Sequence, residues 1–140
     1  MTTMTSQRVA RFADSRRLPV MTGALVVLFW LAAAILVVTA QVEVAPCSAT
    51  AGAAATIAAI VGVAYAYTGL TVPRRGTSHA LGVGIAWLVL SIAAEMLLTR
   101  RLGHGWFPLL GSPARPFLRN VYLFVWIFAP ALFARRVSQS

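Results

Sequence analysis

Glu95 is the only acidic residue inside a long apolar stretch of this chain, the run 80–99. A charge at the centre of a membrane helix costs about 2.5–3.5 kcal/mol on insertion scales, so an ionisable side chain there needs a partner or a function. Glu95 stands about a turn before Arg100 and Arg101, near the end of its stretch, which lowers that cost. Arg119 and Asn120 open the next apolar stretch at the same level. Two readings follow. Glu95 and Arg119 form an ion pair between two helices, or Glu95 is the proton or substrate site of a small transporter.

Between these residues runs Gly103-His104-Gly105-Trp106-Phe107-Pro108-Leu109-Leu110, too short to span a membrane and too apolar to float in water. Trp106 and Phe107 suit the headgroup level, which predicts a loop resting on the interface. The sharper alternative is a lid over a lipid or quinone site, with His104 and the arginines as its polar handles.

Other chemistry is excluded by what is missing or too far apart. His79 and His104 lie some 25 residues apart, about one membrane thickness at helical rise, so they cannot share a haem or metal. Cys47 is the single cysteine, which rules out an internal disulfide or a multi-cysteine metal site. No Ser-His-acid cluster and no glycine-rich loop with lysine is present, so neither hydrolysis nor nucleotide binding is indicated. The expectation is no enzyme activity, no cofactor and no metal.

The composition says what must position these residues. Of 140 residues, 59% are hydrophobic and 11% charged, against roughly 25% charged in a soluble domain. The partner implied is a lipid bilayer. A hydrocarbon core of about 30 Å needs around 20 helical residues, and four segments meet or approach that length: 18–40, 49–70, 80–99 and 117–134. Continuous apolarity over such lengths predicts helices, since membrane strands alternate over about ten residues. The fold class is therefore all-α, a bundle of four transmembrane helices in domain 18–134, flanked by a basic tail 1–17 and a short tail 135–140. Pro46, then Pro73 with Arg74 and Arg75, then the stretch 103–116 separate the segments, and Thr77 or Ser78 is the expected cap of the third helix. The first run is 23 residues long, longer than the apolar core of about 7–15 in a cleaved signal, and should remain as an anchor.

The formal charge of +9 comes from twelve arginines and three acids. Eight arginines (Arg8, Arg11, Arg16, Arg17, Arg74, Arg75, Arg135, Arg136) fall on one side of four crossings, and four (Arg100, Arg101, Arg115, Arg119) on the other. That asymmetry predicts both termini in the cytoplasm. Spread in pairs over both faces, the arginines form no nucleic-acid patch.

Small residues let membrane helices approach closely. Ala51, Ala55 and Ala59, and Ala54, Ala58, Gly62 and Ala66, repeat at four-residue spacing in the second segment, as do Ala80 with Gly84 and Gly82 with Ala86 in the third. The spacing predicts a tight central pair of helices two and three. Phe29, Trp30, Tyr122, Phe124, Trp126 and Phe128 would then face lipid or a partner, and Tyr65 and Tyr67 an aromatic belt.

The run Trp87-Leu88-Val89-Leu90-Ser91, then Glu95, Trp106, Leu109-Leu110 and the arginine opening the last helix resemble a family of small four-helix bacterial inner-membrane proteins without established activity. The likeness covers about residues 80–136. Ala94 and Met96 stand where that family tends to place phenylalanines, and Gly111 where it tends to place an acid. The resemblance implies a shared topology and a pairing role for Glu95, Trp106 and Arg119. The combined reading is a multi-pass bacterial inner-membrane protein, an accessory or structural subunit that associates with itself or with a larger membrane complex.

Overall fold

A computed structural model describes residues 3–71, 76–103 and 107–137, with side chains for 19–71, 76–103 and 107–134. Four helices account for nearly all of it: α1 (Thr3–Thr39), α2 (Ala49–Thr71), α3 (Gly76–Leu102) and α4 (Pro116–Val137). Each carries a stretch long and apolar enough to cross a membrane: Pro19–Val44, Ala49–Thr71, Gly76–Leu102 and Pro116–Ala134. The protein is a four-helix bundle of membrane-spanning length, with no strand among the described residues.

Helix ends follow local chemistry. α1 widens into a π-helical segment, Ala40–Val44, closed by the Ala45 N–H donating to the Ala40 carbonyl over 3.1 Å. Gly103 ends α3 at φ 87°, with its N–H on the Thr99 carbonyl; a left-handed residue there is what glycine tolerates best. α3 opens at Gly76, φ 74°, so Thr77 and Ser78 sit inside its first turn instead of capping it. Pro19 and Pro130 are both carried within helices.

The helices form a ring in the order α1, α2, α4, α3, with α3 and α4 the most closely packed pair. The expected α2–α3 pair is therefore not formed; those helices stand on a diagonal. The reason lies at Gly84, where an added Cβ would run into the backbone carbonyl of Ile127 on α4. Ala80 meets Ala134 one turn away. The Ala80–Gly84 stripe of α3 thus receives α4, whereas Gly82 of the other stripe faces open space. On α2, Gly52 packs on Ala45, whereas Ala54, Ala58, Gly62 and Ala66 face outward.

The aromatic residues are reversed in the same sense. Trp30, Tyr67, Trp87, Tyr122 and Trp126 are buried, whereas Phe124 and Phe128 stack on the exterior and Tyr65 is exposed beside Phe133. Phe29, Tyr67, Trp87 and Trp126 make successive edge-to-face contacts with centroids 5.4, 5.8 and 6.3 Å apart, joining all four helices. Helices with so many small side chains leave an interior that only large rings fill. Those rings also bring polar N–H groups that need partners, which neighbouring helices supply and lipid does not.

Candidate functional site

Among the described residues, the buried side-chain polar atoms find hydrogen-bond partners within the bundle, with one exception. Trp30 Nε1 donates to Ser91 Oγ (3.0 Å) and Trp87 Nε1 to the Val26 carbonyl (3.0 Å), tying α1 to α3 twice. Gln41 Nε2 donates to Thr56 Oγ1 (2.8 Å), and that hydroxyl in turn donates a hydrogen bond to the Gly52 carbonyl (2.9 Å). Tyr67 and His79 share a hydrogen bond of 3.2 Å between α2 and α3. These are architectural bonds, each replacing water that the bilayer cannot offer.

Glu95 differs. Its residue is 6% exposed, and its Oε2 accepts the backbone N–H of Leu110 over 3.0 Å. Its Oε1 is buried without a hydrogen-bond partner. Leu110 arrives there because the α3–α4 connection turns back into the bundle: Pro108, Leu109 and Leu110 are buried, and the turn closes from the Gly111 N–H to the Phe107 carbonyl. Gly111 has φ 83° and lies against the Tyr122 ring. On the other side of the turn, Trp126 Nε1 donates to the Leu109 carbonyl over 3.1 Å. Residues 107–111 thus form a plug pinned from α3 and α4, so Leu109 and Leu110 enter the bundle where a loop lying on the interface was expected. Phe107 is half-buried at its start; His104 and Trp106 lie outside the described residues.

Beside the plug, a groove of about 460 Å³ opens laterally between α3 and α4. Ile92, Met96 and Leu123 supply its apolar lining, and Glu95 belongs to the same wall. Arg100 and Arg119 complete it towards the helix ends. Glu95 and Arg119 both line this groove, but no direct ion pair between them is closed; the carboxylate is held by the backbone amide of Leu110, with that of Leu109 beside it. Asn120, one residue on, is exposed and does not line the groove.

The missed element is the Leu109–Leu110 plug. Its signal was present in a leucine pair preceded by proline and followed by Gly111, but no periodicity assigns a short irregular segment to the interior. Among the described residues no three metal-ligating side chains gather, and Cys47 is an exposed free thiol. No family model, curated protein or solved structure matches the chain.

Proposed function

We propose that the protein is a non-catalytic integral subunit of the bacterial inner membrane that associates with itself or with a larger membrane complex, its termini in the cytoplasm. The observation that carries this reading is the outward stripe Ala54, Ala58, Gly62 and Ala66 on α2. A Cβ added at Gly62 meets nothing within 4 Å. Small residues at four-residue spacing permit close backbone approach, and the bundle leaves this stripe unused. Mass determination in mild detergent tests the reading: the wild-type chain should run as a homo-oligomer or with a defined second subunit. Ala58→Ile combined with Gly62→Ile should release a folded monomer. A wild-type protein that is monomeric and without partners in both detergent and nanodiscs overturns it.

A second reading, a small transporter or channel with Glu95 as proton or substrate site, is favoured by the unpartnered Oε1. Proton-coupled flux in proteoliposomes that vanishes in Glu95→Gln would support it. The glutamine retains an oxygen to accept the Leu110 N–H, so folding should survive the exchange.

A further inference from the structure

We propose that the lateral groove between α3 and α4 binds the head group of a phospholipid carrying a primary ammonium, with the ammonium on Glu95 and the phosphate on Arg119 and Arg100. This goes beyond both readings above, since it assigns a resident ligand to the site whether or not anything is transported.

The groove faces the bilayer. Ile92 and Met96 are 39% and 56% exposed on the outside of α3, within the span Gly76–Leu102. A helix of 27 residues measures about 40 Å and exceeds a hydrocarbon core of about 30 Å, so both ends reach the headgroups. Glu95 stands about two turns from the end of α3, just below the level at which head groups sit, and Arg100 stands at that level. Acyl carbon can lie along Ile92, Met96 and Leu123 while the head group reaches the charged end.

The charges select the class of lipid. A buried acceptor without a partner carries a desolvation cost that a donor from the ligand removes. Leu110 already donates to Oε2, so a further donor has to reach Oε1, which is covered until the side chains lining the groove give way to the ligand. A primary ammonium has three N–H donors and is small. A quaternary choline has none and is bulky. An anionic head group without an amine would match Arg100 and Arg119 but leave Glu95 unmatched and add like charge beside it. A cationic amphiphile would match Glu95 and face two guanidiniums. Only a head group with ammonium and phosphate adjacent meets both signs. Guanidinium groups suit phosphate oxygens by geometry as well as charge.

Lipid retention on the purified full chain tests this by native mass spectrometry, with dioleoyl-phosphatidylethanolamine, its N-methylated forms, phosphatidylcholine and phosphatidylglycerol titrated in turn. The ethanolamine lipid should be held about tenfold more tightly than the choline lipid, the order expected of one charge-assisted hydrogen bond. Retention should fall with each methyl group added. Glu95→Gln should bring the two lipids to within about twofold of each other, while Arg119→Gln should weaken all phosphate-bearing lipids together. Met96→Trp, at an exposed position, fills the groove without touching Glu95 and should lower ethanolamine-lipid retention in a protein of unchanged circular dichroism. Equal retention of ethanolamine and choline lipids by the wild type overturns the proposal, as does a preference that survives Glu95→Gln or retention unaffected by Met96→Trp. Equal retention would assign Oε1 to a swing of Arg119 instead.

Discussion

Trp30 and Trp87 bind the same two helices in opposite senses: one indole on α1 reaches a side chain of α3, and one indole on α3 reaches a backbone carbonyl of α1. Ser91 is the replaceable partner. Ser91→Ala leaves a buried N–H unsatisfied, and the expected loss is about 1–3 kcal/mol. A cycle with Trp30→Phe should return a coupling of about 0.6–1.7 kcal/mol, between the average and the maximum for hydrogen bonds between membrane helices. Reversible unfolding in mixed micelles measures both, and a coupling near zero would mean that the indole finds another acceptor. Glu95 was conspicuous in the sequence because an acid within an apolar run is rare whatever the fold. Its actual partner was not legible: Leu110 contributes through its backbone amide, and a backbone group carries no residue-type signal. The same limit applies to Leu109, whose carbonyl accepts from Trp126.

Helices were the most legible elements, since length and continuous apolarity are properties of a segment taken alone. All four spans overlap their expected ranges, and α1 extends back to Thr3, well before the apolar run begins. Which faces meet is a property of pairs, and there small-residue spacing was ambiguous. The stripes of α2 and α3 have the same pattern, but one receives α4 and the other is left outside. Gly84 and Gly62 therefore make opposite predictions from the same residue type. At Gly84 an added methyl group would meet the Ile127 carbonyl, backbone that cannot move without shifting α4. Gly84→Ala should cost about 3 kcal/mol, at the upper end for overpacking. At Gly62 the methyl group enters open space, and Gly62→Ala should be neutral or stabilise the monomer by up to about 1 kcal/mol through helix propensity. Unfolding of both variants under identical detergent conditions decides the matter. Equal losses at the two sites would place α3 against α2 after all.

Across the whole molecule, the two connections opposite the termini share one end of the bundle. Gln41 lies on a cavity with Phe107, Ser112 and Arg115, and the π-helical segment hands its chain to α2 just beyond. Four crossings put both termini at the other end, so one measurement orients every loop. Cys47 supplies it without any mutation, because it is the only cysteine of the chain and is exposed in the α1–α2 connection. In the bacterial inner membrane proposed above, an orientation set by the arginine asymmetry of eight against four places Cys47 on the periplasmic side. In cells with a permeable outer membrane and intact inner membrane, a membrane-impermeant maleimide should then label the protein nearly to completion. Inverted inner-membrane vesicles should protect it until detergent is added. The reverse pattern would place the Glu95 groove in the cytoplasmic leaflet, and Arg100, Arg101, Arg115 and Arg119 would then outweigh the eight as orientation signals. The leaflet matters for the ligand as well as for topology. A groove fixed in the periplasmic leaflet draws on the lipids of that leaflet, so an orientation shown by Cys47 labelling also defines which pool of ammonium-bearing lipid can reach Glu95.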